Sequence, residues 1–222
     1  MRRKRSKNIL TVAFLLATLV PYSSPLAVLA ASEINVGGPL PTATKITPSV
    51  NGYNIETATT VKNGTIGINS FNRFNVGQGD VVNLNLINNQ NKLVNLIFDN
   101  SPSQINGIVN SYMNNKIGGN VLFANPNGFV VGSTGKFNVG SLTLMTPTRN
   151  SMEKLIDNPL FGASSYNEGN VEKLISFSFG QDSYLITGSD NFIELAPSNI
   201  DITGTINSAG GIDLISGSPK IS

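Results

Sequence analysis

The side chains that could do covalent or metal chemistry are few. His and Cys are both absent from the 222 residues. The lack of His removes His-dependent triads, His general bases and His-containing zinc sites. Carboxylates remain: Asp201 and Asp213 fall in two short β-like runs and are expected on neighbouring strands. Paired acids serve polysaccharide hydrolases and lyases, often with a basic residue or a calcium ion. No third acidic residue accompanies them in sequence, and beyond residue 30 the only arginines are Arg73 and Arg149. Solvated strand-face carboxylates are therefore the better reading, and no catalytic residue, metal site or cofactor is expected. Tyr53, Tyr112, Tyr166 and Tyr184 could stack on a sugar ring, but they are scattered and Trp is absent. Glycan binding stays open as an alternative.

The best-specified local feature is a turn. Val121-Leu122-Phe123-Ala124 is an apolar run of strand length, followed by Asn125-Pro126-Asn127-Gly128 and then by Phe129-Val130-Val131. Pro126 fixes φ for position i+1 of a β-turn and biases Asn125 towards an extended backbone. Asn127 tolerates a left-handed conformation, and Gly128 accepts almost any. Asn side chains at such a corner would satisfy turn amides.

The first 30 residues read as an export signal. Arg2, Arg3, Lys4, Arg5 and Lys7 precede an apolar stretch over residues 9–20, Pro21 breaks it, and Val28 and Ala30 suit a cut after Ala30. The apolar core is shorter than the ~20 residues of a spanning helix. The segment holds five of the fifteen Lys+Arg and none of the thirteen Asp+Glu, so residues 31–222 carry ten against thirteen, a net of −3. No clustered cations point to nucleic acid. An exported chain without Cys has either a core that needs no crosslinks or a reason to stay uncrosslinked.

Short β-branched runs separated by Asn and Gly predict many short strands and tight turns. Two windows share a pattern: Ile105-Asn106-Gly107-Ile108-Val109-Asn110-Ser111 then Gly118-Gly119, and Ile202-Thr203-Gly204-Thr205-Ile206-Asn207-Ser208 then Gly210-Gly211. Each continues into another strand, and residues 135–144 repeat the strand–glycine–strand cadence. Such recurrence is the mark of a solenoid whose units bury their apolar sides by stacking. A parallel β-helix and a sandwich or jelly roll both remain open on periodicity alone. Further strands are predicted over 54–61, 64–68, 81–87, 93–98, 171–179 and 183–187, the last two as a hairpin around Gly180-Gln181-Asp182. A loop is predicted over 162–169. One short helix is predicted over 151–157, with Ser151 as its cap and Glu153 in its first turn.

Four ordered segments carry a family resemblance: Ser70-Phe71-Asn72-Arg73-Phe74-Asn75-Val76, Ser103-Gln104-Ile105-Asn106-Gly107, Asn125-Pro126-Asn127-Gly128 and Phe137-Asn138-Val139-Gly140-Ser141-Leu142. Across roughly residues 45–215 the chain resembles the N-terminal secretion domain of two-partner-secreted filamentous haemagglutinin-like adhesins. The resemblance implies an all-β chain: a right-handed parallel β-helix with an N-terminal cap, for which residues 34–61 are the candidates, and extra-helical strands. It implies export by the general secretion machinery, recognition in the periplasm by an outer-membrane β-barrel transporter, and passage unfolded. Folding then takes place at the cell surface or in the medium, with a host-cell receptor or glycan as a candidate further partner. Residues 31–222 would be this domain, and family members are usually much longer, so the chain is expected to be the N-terminal part of an adhesin or a short stand-alone domain. Some members carry a second motif, Asn-Pro-Asn-Leu, and the nearest approach here is Asn158-Pro159-Leu160. The residues expected to serve recognition or folding are Asn125, Pro126, Asn127, Gly128, Asn72, Phe74 and Asn75. Of these, Phe74 reads as core and Asn72 and Asn75 as turn or ladder positions.

Overall fold

The computed structural model describes residues 31–154 and 199–216. The predicted export signal, and the predicted loop, strands and hairpin between 162 and 187, lie outside the described residues. Among the described residues, seventeen strands and one helix follow in order. The first group is β1 (Glu33–Val36), β2 (Thr44–Ser49), β3 (Gly52–Thr57), β4 (Thr60–Val61), β5 (Ile66–Asn75), β6 (Val81–Leu86) and β7 (Lys92–Ile97). Next come β8 (Ser103–Ile105), β9 (Ile108–Met113), β10 (Lys116–Ile117), β11 (Asn120–Ala124), β12 (Phe129–Val131), β13 (Lys136–Val139) and β14 (Ser141–Met145). Then follow α1 (Arg149–Lys154), β15 (Ile200–Ile202), β16 (Thr205–Ser208) and β17 (Ile212–Ile215).

The strands stack into three sheets. Sheet 1 runs β1-β5-β7-β11-β14-β17, sheet 2 runs β2-β3-β6-β9-β13-β16, and sheet 3 runs β8-β12-β15. From β5 onward successive strands of each sheet pair in parallel, except β10, which turns back antiparallel on β9, and the chain visits the sheets in rotation. This is a parallel β-helix. The two sequence windows and the shorter one at 135–144 occupy equivalent places: β8, β12 and β15 share sheet 3, β9, β13 and β16 share sheet 2, and β11, β14 and β17 share sheet 1. The glycines between them are where coils touch backbone to backbone: a Cβ on Gly135 would meet the Ile105 carbonyl, and one on Gly204 the Gly135 carbonyl.

Residues 33–61 cover the first end. β1 lies antiparallel along β5, β2 antiparallel along β3, and β4 antiparallel along β5. The edges of β5 and β3 are thus covered, and β1 and β2 become the outermost strands of sheets 1 and 2. The single strand expected over 54–61 is two, β3 and β4, because Ala58 and Thr59 leave sheet 2 for sheet 1.

Inward side chains fill the helix, among them Phe71, Phe74, Val82, Leu84, Val109, Val121, Phe123, Phe137 and Leu142, all 1% exposed or less. A second apolar cluster lies on the opposite face of sheet 1: Ile68, Val94, Leu96, Leu122, Ala124 and Met145, covered by Leu40, Val61 and Met152. A strand buried on both faces is apolar throughout and does not alternate. That accounts for the unbroken run Val121-Leu122-Phe123-Ala124.

Helix α1 corrects the expectation for 151–157. It begins at Arg149, and Thr148 is the cap: its Oγ1 accepts from the Ser151 N–H at 3.1 Å. Ser151 sits inside the first turn, which holds no acidic residue. The side chain that would have capped a later start is 4% exposed and takes a hydrogen bond from the Thr148 hydroxyl at 3.0 Å.

The outer face of sheet 2 bears an asparagine ladder. Asn54, Asn83, Asn110, Asn138 and Asn207 stand in register, and each later amide nitrogen donates to the preceding side-chain oxygen at 2.9, 3.0, 2.8 and 3.0 Å. Parallel strands about 4.8 Å apart bring identical side chains at identical register within hydrogen-bond reach. Asn110→Ala removes both of its links and strands the Asn83 oxygen and the Asn138 amide. A loss of about 1–2 kcal/mol is expected, read as a fall in thermal midpoint larger than that of Asn207→Ala at the exposed end.

Candidate functional site

The Asn125–Gly128 corner joins sheet 1 to sheet 3. The Gly128 N–H donates to the Asn125 carbonyl at 3.1 Å, closing a β-turn with Pro126 at i+1. Asn127 keeps a negative φ, contrary to the left-handed option its type allows, and Gly128 takes the positive value of 95°. The fourth position must be glycine for a second reason: a Cβ on Gly128 would collide with the Asn199 carbonyl of the next coil. That carbonyl also accepts from the Phe129 N–H at 3.1 Å.

The two asparagines of the corner are used inward. Asn125 is fully buried. Its Oδ1 accepts from the Asn127 N–H at 2.9 Å, and its Nδ2 donates to the Ser101 carbonyl at 3.2 Å and to the Ser103 hydroxyl at 3.0 Å. Asn127 is half-buried, and its Nδ2 donates to the Asp99 carbonyl at 2.8 Å. Both side chains therefore tie this corner to the corner one coil earlier.

Asp99 is the node that sequence reasoning missed. Arg73 donates to its carboxylate, Nε to Oδ2 at 2.8 Å and Nη2 to Oδ1 at 3.3 Å, while Arg73 Nη1 reaches Glu33 Oε2 at 2.8 Å. Arg149 Nη2 donates to the Asp99 carbonyl at 2.7 Å and to Asn100 Oδ1 at 2.9 Å. Both arginines beyond residue 30 thus meet on one residue, beside Asn127. The rarity of Arg was the only sequence signal. Burial pushes the Asp99 carboxyl up, but hydrogen bonds from Arg73, the Asn100 amide and Ser101 outweigh it and hold it below the usual carboxylate value. Arg73 is raised by its hydrogen bond to Asp99 and then by that to Glu33.

A pH dependence follows. The folded pKa of Asp99 lies below its unfolded value of about 3.9, so its charged form stabilises the fold above that value and the contribution is lost as pH falls through the folded pKa. The thermal midpoint of Asp99→Asn should lie below that of the wild type at neutral pH, and the two should converge in acid. A gap unchanged down to the acid limit would show that Asp99 acts by packing alone.

The other expected residues are placed as follows. Phe74 is core, fully buried between Phe71 and Phe123. Asn72 is exposed at a β-bulge: Asn35 pairs Arg73 and Val36 pairs Phe71, so Asn72 is the extra residue, its side chain lying over Gly37. Asn75 ends β5 and its Oδ1 accepts from the Gln104 N–H at 2.9 Å. Asp201 and Asp213 are not neighbours: Asp201 lies on β15 of sheet 3 and Asp213 on β17 of sheet 1, both exposed. No group of three or more metal-ligating side chains occurs among the described residues. Tyr53 packs against the main core and Tyr112 is half-buried on β9, while Tyr166 and Tyr184 lie outside the described residues.

A family model described as the TPS secretion domain matches residues 32–222. The chain belongs to this family. It is a two-partner secretion domain of the exoprotein kind, from a secretion-related family and not a known enzyme family. Membership in the TPS family implies a protein exported through the outer membrane with an outer-membrane transporter as its partner. No curated protein matches the chain.

Proposed function

We propose that residues 31–222 form the address and the folding nucleus of an exoprotein. Residues 1–30 direct the chain to the general secretion machinery and are removed after Ala30. An outer-membrane β-barrel transporter recognises the mature segment in the periplasm, the chain crosses unfolded, and the β-helix forms outside the cell. Adhesion to a host-cell receptor or glycan belongs to the product so displayed. The observation that carries this reading is the family match over residues 32–222. Two features support the folding part. No Cys is present to crosslink the chain before passage, and the covered first end offers parallel edges on which each later coil stacks.

Within this reading, Asn125-Pro126-Asn127-Gly128 acts by shaping a coil corner, supported by the inward use of both asparagines. Asn72 is the more exposed candidate for contact with the transporter.

The test is a secretion assay on residues 1–222 with and without a family transporter. Intact protein should reach the medium only when the transporter is present. A folded domain that stays in the periplasm with every transporter tried would overturn the reading in favour of a free-standing binding module, which a glycan array would then examine.

A further inference from the structure

The turn between β5 and β6 closes on the first residues after the expected cut. The Ser32 N–H donates to Asp80 Oδ2 at 3.0 Å, and the Ser32 hydroxyl donates to the same oxygen at 2.6 Å. The Ser32 hydroxyl oxygen in turn accepts from the Gly77 N–H at 2.9 Å. Ser32 is thus held from two sides by residues 45 and 48 positions away. The turn itself is fixed: the Asp80 N–H donates to the Gly77 carbonyl at 3.1 Å, and the Asp80 carbonyl accepts from the Ile108 N–H of the next coil at 2.9 Å. Among the described residues, no hydrogen bond reaches the second carboxylate oxygen, Oδ1.

Ala31 immediately precedes Ser32. A cut after Ala30 turns the Ala31 nitrogen into a free α-amino group, cationic at neutral pH. Covalent geometry keeps consecutive backbone nitrogens about 3–4 Å apart, so an amine on Ala31 stands next to the nitrogen that already donates to Asp80. We propose that Asp80 is a binding site for the chain's own processed N-terminus: Oδ2 holds Ser32, and Oδ1 receives the α-ammonium of Ala31. The ligand class is a primary α-ammonium one residue before a serine. The inference rests on the export reading with cleavage after Ala30.

Before processing, the same nitrogen is a neutral amide that brings no charge to Asp80. Signal removal therefore adds an ion pair beside β1, where that strand covers the edge of sheet 1. The charged groups on the packed elements are Glu33 of β1 and Arg73 of β5, already paired with each other at 2.8 Å. Asp80 is the carboxylate left for the amine. Cap completion is in this way coupled to processing.

The experiment uses the exported protein, or the periplasmic pool where export to the medium fails. Its N-terminal peptide is weighed first, and Ala31 is the expected first residue. The α-amine is then tagged by isotopic reductive methylation and titrated by NMR. Its midpoint should lie above the range of about 7.7–8.0 for a free α-amine and return to that range in Asp80→Asn. The pair stabilises below the unfolded pKa and is lost as pH rises through the raised folded value. The thermal midpoint of the wild type should therefore fall about 2 °C further than that of Asp80→Asn across that alkaline window. An ordinary midpoint on an Ala31 N-terminus overturns the inference alone. A different N-terminus overturns it together with the assigned cleavage position. If Asp80→Asn does not fold, the wild-type midpoint decides.

Discussion

Asn125→Ala should lower the thermal midpoint of the domain by about 10 °C, whereas Asn127→Ala should lower it by only about 2–4 °C. The difference lies in what each truncation strands. Asn125 is fully buried and makes three hydrogen bonds. Removing its amide leaves the Ser103 hydroxyl, the Ser101 carbonyl and the Asn127 N–H without that partner, at about 1–3 kcal/mol for each group that stays dry. Asn127 gives up one bond, to the Asp99 carbonyl. Arg149 still donates to that oxygen at 2.7 Å, so it is not orphaned. Asn125→Asp should be no better than alanine, because a carboxylate would face the Ser101 carbonyl that the amide now serves. If the corner acts by folding, secretion yield should fall in the same order as stability. If instead the transporter reads these side chains, Asn127→Ala should abolish export while its melting curve stays within a few degrees of wild type. Circular dichroism and the secretion assay on the same three variants decide between the two.

How far this corner was legible in the sequence shows what local pattern carries. The turn itself follows from Asn-Pro-Asn-Gly, since proline and glycine fix backbone angles without help from the rest of the chain. The repeats followed too, because glycine and β-branched residues recur at the same place in each coil. Asn127 went otherwise: the residue type allows a left-handed backbone, but the turn needs positive φ only at Gly128. The ladder is harder. Three of its asparagines sit between two apolar or aromatic residues, as in Val82-Asn83-Leu84 and Phe137-Asn138-Val139, but Asn110 and Asn207 are followed by serine, and successive members lie 29, 27, 28 and 69 residues apart. The last interval contains α1 and the segment before β15, which hides the period. The Asp99 node was out of reach for a related reason. Arg73, Asp99 and Arg149 come from three separate coils, and only the stacking of corners brings them together. The helix start moved because Thr148 is a good cap whose value depends on where the chain leaves β14, a tertiary matter. Asp201 and Asp213 looked like partners by sequence spacing, yet a β-helix places residues a dozen apart on different sheets.

The second large effect is expected inside the helix. Phe123→Ala should cost about 3–5 kcal/mol, the usual range for truncating a buried phenylalanine, and lower the midpoint by roughly 10 °C. Phe123 is the middle of a chain of rings. Phe71 and Phe74 of β5 meet edge to face at 5.2 Å, Phe74 meets Phe123 of β11 at 5.1 Å, and Phe123 meets Phe137 of β13 at 5.9 Å. Truncation opens a cavity and also cuts the two ring contacts, to Phe74 and to Phe137, that link the capped end to the later coils among the described residues. In a solenoid, stability is a sum of coil terms and nearest-neighbour couplings. A cut coupling should therefore divide the molecule unequally. The amides of β13, β16 and β17 should lose hydrogen-exchange protection well before those of β5 and β7, which keep the antiparallel cover of β1 and β4. Phe123→Leu, which refills most of the volume, should restore joint protection. Equal loss at both ends in Phe123→Ala would mean that the two cores behave as one cooperative unit, with the cluster behind sheet 1 carrying the coupling instead. It would also weaken the case for a capped end that holds its structure while later coils are added, since that process needs the first coils to be stable before the last ones arrive.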